Sequence, residues 1–565
     1  MPYRAPVEDY QFIFENVVDM ASVAGTERFA DTASADMTSA VLTEMGKMAE
    51  EILYPLQRNG DLDGAVLENG VVRTSKGYAK GFKSMAEGGW IAVSAGEEHG
   101  GMGLPLAMNT ACNEMVTATA MALGLCPLLT QGQIEALEHH ASDELKQMYL
   151  PRLITGEWTG TMNLTEPGAG SDVGALKSKA ERNDDGTYSI SGQKIFITWG
   201  DHDFGGNVCH LVLARLPDGV PGTKGISLFM VPKFLPNEDG SLGERNSLNV
   251  VSLEHKLGIH GSPTCVMQFD GAKGWLVGKE HGGMAAMFTM MNNARLGVGT
   301  QGVGIAEGAY QHALAYAQER EQMGTIINHA DVRRMLLTMR ADTFAVRSLV
   351  LDCSVALDMG TATDDAAWKA RAALLTPIAK AFSTDIGIAV AELGVQIHGG
   401  MGFIEETGAA QFSRDVRITS IYEGTNGIQA MDLVGRKMMD GGAAAYALLD
   451  EIEAHAEEVR TALPDLAEPV WQATETLREA VEWMVAQTDM NARFAGCVPF
   501  LTAFGRVLGG HYHLKAAMAE GGNGTRTKIA RFYINRLLPQ YAGQLEHARA
   551  GASDLYDITN DELCG

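Results

Sequence analysis

The segment RDVRITSIYEGTNGIQ, residues 414–429, has the composition of a break between two helices. Its charged first half is compatible with a helix, and an apolar helical pattern begins again at Ile428. Between them a single acid, Glu423, stands directly before Gly424. A carboxylate at such a break can point into a dry cavity, where its pKa rises toward neutrality because the charged form is disfavoured. Glu423 is therefore either a general base or an acid that caps the next helix.

A second glycine-rich segment, MNLTEPGAGSD at residues 162–172, follows a short run with the character of a strand. Glycines at positions 168 and 170 would let the backbone approach a ligand closely. With YEGT later in the chain, this segment resembles the FAD-dependent acyl-CoA dehydrogenase family, and the resemblance extends over residues 35–439. It implies that Glu423 removes the α-proton of an acyl-CoA thioester and that FAD accepts hydride from the β-carbon. The electrons would then pass to an electron-transfer flavoprotein.

Composition narrows the class of protein further. A chain of 565 residues is too long for one ordinary core, and a net charge of −26 argues against non-specific binding to nucleic acid or an anionic membrane. The seven cysteines are scattered without a CxxC pair, which indicates neither a disulfide framework nor a metal site. The N-terminus lacks the pattern of a signal peptide, and no long apolar run suggests a membrane span. A cytoplasmic protein fits these observations.

Hydrophobic periodicity divides the chain into four parts. Helical patterns predict an N-terminal helical domain over residues 1–156, and short alternating runs predict a β-barrel or β-sandwich domain over 157–280. Long Ala- and Met-rich helices return as a bundle over 281–440 that carries Glu423. A further amphipathic pattern predicts an additional helical domain over 441–565. The predicted fold class is mainly α with a central β-domain, as the family resemblance also implies.

The segment GVGTQG, residues 297–302, matches the GxGxxG pattern of dinucleotide-binding sites. A helical run precedes it where that motif needs a strand, so the required strand–turn–helix context is missing. We interpret the glycines as small residues that let two helices pack closely.

The resemblance assigns several residues to the flavin. They are Met162, Leu164 and Thr165 along the ring, Phe196 and Thr198 in KIFITWG, and Thr425 beside the base. Phe196 has an alternative role as a core side chain, which the sequence alone favours.

A second set of residues matches segments that contact the flavin of a neighbouring subunit. These are Arg320, Gln322 and Met323 in QEREQMG, with Gln396 and Gly400 in GVQIHGG. An arginine suits diphosphate oxygens, although a solvated helix end would also explain Arg320. The match implies a homo-oligomer that is at least a dimer.

The resemblance places Ser171, Asn292, Arg295, Tyr422 and Gly424 beside the substrate. Some family members carry the base directly before the arginine that corresponds to Arg295. Here that position is Ala294, which cannot accept a proton, and this favours Glu423 as the base.

The overall layout resembles the branch of the family that holds 3-methylmercaptopropionyl-CoA dehydrogenases, which act in dimethylsulfoniopropionate demethylation. Long-chain fatty acyl-CoA dehydrogenases share this layout, and a methylthio group is nearly isosteric with two methylenes. Acyl-CoA oxidases and DNA-binding alkylation-response flavoproteins are two further classes that use this fold. A protein of the DNA-binding class would need a basic C-terminal domain, whereas AEPVWQATETLREAVEWMV and HAEEVR are acidic, although TRTKIARFYINR is locally basic.

Overall fold

The computed structural model describes residues 3–565, and these residues have the predicted fold class of helices around one central β-domain. Two hydrophobic cores hold the chain together. The larger runs from Tyr3 to Ala548 through the helical regions and takes in one side of the β-domain, including Leu211 and Met230, and the smaller lies within the β-domain.

The N-terminal region is helical but contains a hairpin that the helical periodicity did not predict. Its helices are α1 (Val7–Asn16), α2 (Met20–Ala24), α3 (Ala35–Met48), α4 (Tyr54–Asp63), α5 (Tyr78–Glu87), α6 (Leu106–His140) and α7 (Asp143–Ile154). The hairpin joins β1 (Val66–Glu68) to β2 (Val71–Arg73). Asn69 and Gly70 between them have φ of 52° and 77°. Two such residues make the two-residue turn that suits a hairpin, and this Asn-Gly signal was present in the sequence.

Helix α6 covers a segment where the sequence pattern predicted two helices, 106–123 and 131–140. The chain bends within α6 at Ala120, whose φ of −159° is not helical, and Pro127 follows in the next turns. The chain therefore forms two helical parts on either side of Ala120, as predicted, with the break earlier than the pattern indicated, and nearly all of both parts is buried.

The β-domain is a small barrel. Its strands are β3 (Thr159–Asn163), β4 (Lys179–Arg182), β5 (Tyr188–Thr198), β6 (Val208–Arg215), β7 (Ile226–Pro232), β8 (Phe234–Pro236), β9 (Leu242–Arg245), β10 (Leu248–Leu253) and β11 (Thr264–Val277). The pairings run β11–β5–β4–β6–β7 and return to β11, which closes the ring. Strand β3 adds to β6 in parallel, and β10 adds to β11 in antiparallel orientation.

The bundle that follows contains three long helices and two short ones. They are α8 (Gly283–Glu319), α9 (Ala330–Thr363), α10 (Ala366–His398), α11 (Ala409–Val416) and α12 (Asn426–Asp432). The GVGTQG segment lies inside α8, which confirms the close-packing interpretation. A Cβ added to Gly299 would lie 2.8 Å from the Ala379 carbonyl oxygen, and one on Gly302 would lie 2.3 Å from that of Ser383. Glycines at these positions therefore let α8 and α10 approach backbone to backbone.

The additional C-terminal helices pack onto the bundle. They are α13 (Ala443–Val459), α14 (Pro464–Ala486), α15 (Met490–Ala495), α16 (Cys497–Ala519), α17 (Thr525–Arg536), α18 (Gln540–Arg549), α19 (Ser553–Asp557) and α20 (Asn560–Cys564). Helix α16 is buried against α9, where Tyr512 donates to Asp352 over 2.7 Å and Arg506 pairs with Asp342. Buried polar contacts of this kind fix how the two helices sit together.

Two helical stretches among residues 3–565 are long and apolar enough to cross a membrane, contrary to the expectation from the sequence. They are α6 and the stretch Ala366–Phe403, which contains α10. Of their most apolar windows, 94% and 78% are buried inside the fold. Since core helices of soluble proteins have the same composition, this is weak evidence for a membrane span.

Candidate active site

Glu423 lies in the turn between a 3₁₀ segment, Arg417–Ser420, and helix α12. Its backbone has φ of 55°, in the left-handed region that is uncommon for a residue with a side chain. Thr425, and not Glu423, caps α12, because the Thr425 hydroxyl accepts the Ile428 N–H at 3.2 Å. The alternative role of Glu423 as a helix cap is therefore wrong.

The Glu423 carboxyl is removed from water, and among the described residues no cation forms an ion pair with it. Its Oε2 atom is buried and has no hydrogen-bond partner among the described residues. Burial raises the pKa of Glu423 to about 7, against the opposing effects of the Arg295 and Lys380 cations. A carboxylate with this pKa is half ionised near neutral pH and free to accept a proton, which is what a general base requires.

The backbone of the same turn offers a free donor. Within the described part of the chain, the Glu423 N–H donates no hydrogen bond. Its carbonyl, by contrast, accepts from Gln429 Nε2 at 3.2 Å, so the peptide on that side is anchored. A free N–H next to a desolvated base can stabilise negative charge that develops on a substrate oxygen.

Three of the predicted substrate residues lie around this turn. The Tyr422 hydroxyl donates to the side-chain carbonyl of Gln301 on α8. A Cβ added to Gly424 would lie 3.9 Å from Arg295 Nη2, so the guanidinium lies directly against the turn. Arg295 is buried, and its Nη1 lies 3.7 Å from Asp432 Oδ2 on α12.

Asn292 and Arg295 line a cavity of about 720 Å³ between α6, α8, α9 and α10. This volume lies within the range of small-molecule sites. Its wall mixes apolar side chains, such as Leu106, Ile134 and Leu357, with charged ones. It carries the cations Arg28, Arg295, Lys369 and Lys437 and the acids Glu135, Glu138, Asp358, Asp364 and Asp432. Burial raises the pKa of both Glu135 and Asp358 to about 7. No member of the predicted flavin set lines this cavity.

A smaller cavity of about 300 Å³ lies elsewhere, between Asp9, Arg347 and Arg526, and it contains none of the predicted site residues. It joins the N-terminal helix, the bundle and the C-terminal domain, so it belongs to the packing of these parts.

The predicted flavin residues of the β-domain fall on two neighbouring segments. Met162 is on β3, and Leu164 and Thr165 follow it directly. The Thr165 carbonyl accepts the Ile195 N–H of β5 at 2.9 Å, which brings this loop to the strand of Phe196 and Thr198. Beyond it the loop is open, because Cβ atoms added at Gly168 or Gly170 would meet nothing within 4 Å. Ser171, next in the loop, is exposed.

Phe196 is not a core residue, so the interpretation that the sequence favoured is wrong. Its side chain is 58% exposed, and its φ is 61°. A bulky residue held in the left-handed region is strained, and such strain clusters at ligand sites. Next to it the fully buried Trp199 takes the core position and donates its indole N–H to the Ala122 carbonyl. An open loop beside an outward-facing aromatic ring fits a planar cofactor.

The predicted inter-subunit segments are all on the surface. Arg320, Gln322, Gln396 and Gly400 are exposed, and Met323 is 97% exposed. An aromatic stack holds the two segments side by side: the His398 ring of α10 lies 4.8 Å from the His312 ring and 4.3 Å from the Tyr316 ring of α8. Nearby, Phe403 is 88% exposed. These segments are therefore accessible to a second subunit.

One cluster among residues 3–565 has the arrangement of a possible metal site. It consists of Asp218, Glu280 and His281. Arg182 already pairs with Asp218 and with Glu280, at 3.1 and 2.7 Å. We interpret the cluster as a surface ion-pair network.

Comparison with known protein families accounts for most of the chain. Residues 67–157, 161–272 and 281–439 match the N-terminal, middle and C-terminal domains of acyl-CoA dehydrogenases. Residues 448–559 match a domain described as acetyl-CoA dehydrogenase C-terminal like. The chain belongs to the acyl-CoA dehydrogenase family. It is thus an FAD-dependent oxidoreductase, as the resemblance of its motifs implied.

Relatives within this family match nearly the whole chain. A 3-methylmercaptopropionyl-CoA dehydrogenase of Ruegeria pomeroyi is 46% identical over 548 residues, 93% of each chain. The broad-specificity linear acyl-CoA dehydrogenase FadE5 of Mycobacterium tuberculosis is 32% identical over 98% of this chain and 99% of its own. Among solved structures, Caenorhabditis elegans ACDH-11 in complex with C11-CoA has a TM-score of 0.81. It is 20% identical and covers 99% of this chain and 96% of its own, which shows a shared fold.

Sequence reasoning missed several residues that the structure brings to the site. Lys380 and Asn426 hold the Glu423 turn, and Gln301 orients Tyr422. Lys380 had a readable signal, since it is a lone cation in the apolar run LLTPIAKAF. Gln301 had none, because its role depends on where α8 passes the turn.

Proposed function

We propose that this protein oxidises the Cα–Cβ bond of an acyl-CoA thioester, with Glu423 as the general base. The observation that carries the proposal is the buried, unpaired Oε2 of Glu423, in a turn whose backbone N–H is also free. A base and an oxyanion donor on one residue can act on neighbouring atoms of one substrate, the α-carbon and the thioester oxygen.

The residues around Glu423 have distinct parts in this reaction. Glu423 accepts the α-proton, while its backbone N–H donates to the thioester oxygen and stabilises enolate-like charge there. Arg295 and Lys380 lower the pKa of the carboxyl and so keep part of it ionised near neutral pH. Ser171, Asn292, Tyr422 and Gly424 complete the proposed substrate contacts.

Met162, Leu164, Thr165, Phe196, Thr198 and Thr425 would hold the flavin within one subunit. When bound, FAD accepts the hydride that leaves the β-carbon. The open surface at Gly168 and Gly170 and the outward-facing Phe196 support this placement. Arg320, Gln322, Met323, Gln396 and Gly400 would complete the flavin site of a partner subunit, so we propose a homodimer at least.

We propose 3-methylmercaptopropionyl-CoA as the substrate and methylthioacryloyl-CoA as the product. The relative that is 46% identical over 93% of both chains carries this activity in its name.

A medium- or long-chain fatty acyl-CoA is the second candidate, favoured by the 32% identity to a broad-specificity linear acyl-CoA dehydrogenase.

We further propose an electron-transfer flavoprotein as acceptor, a cytoplasmic location, and a division into domains at residues 156, 280 and 440. The two buried apolar stretches fit core helices of a cytoplasmic enzyme.

A substrate panel tests the proposal. Holoenzyme is mixed anaerobically with 3-methylmercaptopropionyl-CoA and with straight-chain C4 to C16 acyl-CoAs, and flavin bleaching is followed by stopped flow. We expect the methylthio substrate to give the highest ratio of flavin-reduction rate to apparent Kd. A maximum at C8 or longer would favour the second candidate, and no bleaching with any thioester would overturn the proposed reaction. Hydrogen peroxide formed per turnover in air distinguishes an oxidase.

A further inference from the structure

Lys380 is a buried cation in the middle of helix α10, and its residue is 0% exposed. The close packing of α8 on α10 puts it there, because a Cβ on Gly299 would lie only 3.4 Å from the Lys380 Cα. The glycines of GVGTQG therefore bring the Lys380 backbone against α8, the helix that carries Arg295.

The Lys380 ammonium binds the turn that holds Glu423. Its Nζ donates to the Gly424 carbonyl and to the Asn426 Oδ1, each at 2.9 Å. Asn426 in turn donates to Thr384 and Asp385 of α10 at 3.0 and 2.7 Å. Two residues that follow the base in sequence are thus tied to one helix, and they anchor the turn in which Glu423 has its strained φ.

Packing alone does not explain a lysine at this position. Among the described residues, the hydrogen-bond partners of Lys380 Nζ are the neutral oxygens of Gly424 and Asn426, and the carboxyls of Asp385 and Glu423 act on it only across space. A buried cation without a contacting anion is costly, and an apolar side chain of equal length would avoid that cost. Burial lowers the pKa of Lys380 to about 8, so the ammonium is still mostly charged near neutral pH, beside a base that must itself be ionised to act.

We propose that Lys380 is a positioning residue for the general base Glu423. Its hydrogen bonds to Gly424 and Asn426 hold the Glu423 turn, and its positive charge keeps the Glu423 carboxylate ionised. The inference rests on the proposed function, because it concerns Glu423 acting as the base. The cation stabilises the charged form of the carboxyl across space, and the two hydrogen bonds fix where the carboxyl points.

Other charged groups face the Glu423 turn and also contribute to the electrostatic potential there. Arg295 of α8 lies against Gly424, and its own partner is Asp432 of α12, which also pairs with Arg436. Asp385 of α10 faces Lys380 from the far side of Asn426, and the Tyr422 hydroxyl is engaged by Gln301. Removing Lys380 leaves these groups in place, so the change it causes can be measured separately.

The test compares pH profiles of substrate-dependent flavin reduction in wild type, Lys380→Met, Lys380→Arg and Asn426→Ala holoenzymes. Methionine keeps the length of the side chain and removes the charge, and we expect the apparent pKa of the base to rise by about one pH unit. Arginine should restore most of the shift. Asn426→Ala removes an anchor but keeps the cation, so its rate should fall without a shift in the profile.

A second readout does not depend on turnover. The infrared band of the protonated Glu423 carboxyl, obtained as a difference against Glu423→Gln, is titrated with pH in each variant. The same upward shift in Lys380→Met is expected, and Lys83→Met, an exposed lysine of α5, should cause none. If Lys380→Met does not fold, Lys380→Gln removes the charge while keeping a donor.

An unchanged pKa in the charge-removing variant would overturn the proposal, as would an equal shift in Asn426→Ala. If wild-type enzyme dehydrogenates acyl-CoA and the base in Lys380→Met has the wild-type pKa, only the proposed role of Lys380 is refuted. Wild-type enzyme that fails to act on any thioester would refute the proposed function, while the infrared titration would still measure the Lys380 effect.

Discussion

Lys194 and Glu166 form a buried ion pair that fastens the TEPGAGSD loop to the barrel. Lys194 Nζ on β5 lies 2.8 Å from Glu166 Oε1, with 0% and 7% of the two side chains exposed. Glu166 also accepts the N–H groups of Lys177 and Ser178 at 2.6 and 3.0 Å. The pair therefore links three segments: the start of the loop, residues 177–178 that follow the loop, and strand β5, which carries Phe196.

Replacement of Lys194 by methionine should loosen this loop. It leaves a buried carboxylate without its cation, which typically costs about 3–5 kcal/mol. We expect a lower unfolding temperature and less FAD per chain, measured by thermal melting and by the ratio of flavin to protein absorbance. Lys179→Met, an exposed lysine of β4, is the matched control. Full FAD content in Lys194→Met would show that the pair does not shape the flavin site.

Glu423→Gln should abolish most of the proton transfer while keeping the shape of the turn. Glutamine is nearly isosteric but has no basicity, so flavin reduction by substrate should slow at least about 10²-fold, with FAD still bound. Glu423→Asp keeps the base one methylene further back and should retain partial activity.

The matched control is Glu406→Gln, since Glu406 is exposed. Glu405 is also exposed but pairs with Arg414 at 2.7 Å, so it is the poorer control. Stopped-flow reduction compares the variants. Glu423→Gln enzyme that reduces its flavin at the wild-type rate would move the base to another residue.

The rate of flavin reduction should depend on pH through Glu423. Burial raises the pKa of this group to about 7, and only its ionised form accepts a proton. The rate should therefore rise about tenfold per pH unit below this pKa and level off above about pH 8. A flat profile between pH 6 and 8 would contradict this assignment.

The same pKa shift predicts that Glu423 lowers the stability of the folded protein at high pH. A carboxyl whose pKa is raised by folding destabilises the protein as pH rises from its unfolded pKa to about 7, because the unfolded chain loses its proton first. Glu423→Gln should thus melt above wild type at pH 8 and together with it near pH 4.

Arg347 should be important for stability and not for chemistry. Its guanidinium lies 2.7 Å from Glu114 of α6 and 2.6 Å from Glu307 of α8, all three nearly buried. Arg347→Met leaves two carboxylates facing each other, with an expected loss of about 3–5 kcal/mol. The loss should be larger at pH 8 than at pH 5, because burial raises the pKa of Glu114 and its protonation at the lower pH removes one of the two charges. Arg334→Met, on the exposed part of α9, is the control in urea and thermal unfolding.

Phe403→Asp should weaken the proposed dimer. Phe403 is 88% exposed beside the segments that would reach a partner's flavin, and a charge in an apolar contact opposes association. We expect a lower mass by light scattering and a lower FAD content. Leu555→Asp, also exposed but in α19, should leave both unchanged. An unaltered mass for Phe403→Asp would place the subunit contact elsewhere.

Much of this fold could be predicted because its signals are local. Alternating short runs predicted the barrel, and the missing strand before GVGTQG predicted a helix in place of a nucleotide site. The hairpin at Asn69–Gly70 was missed although its turn signal is local, since the surrounding helical pattern dominated the interpretation. The two helices predicted over 106–140 are present, but the break lies at Ala120 and not at 124–130, because no local glycine or proline marks Ala120.

The sequence by itself determined which side chain serves as the candidate base, since Glu423 stands at a glycine-rich turn and Ala294 cannot replace it. Only the tertiary structure decided the electrostatics of that base. Its burial, the Arg295 guanidinium from α8 and the Lys380 ammonium from α10 act on one carboxyl from three separate parts of the chain. Phe196 is a second example. A phenylalanine side chain suits either a core position or a cofactor contact, and the backbone conformation of Phe196 directs this side chain outward. A pKa and an exposure depend on distances through space, which sequence spacing does not contain.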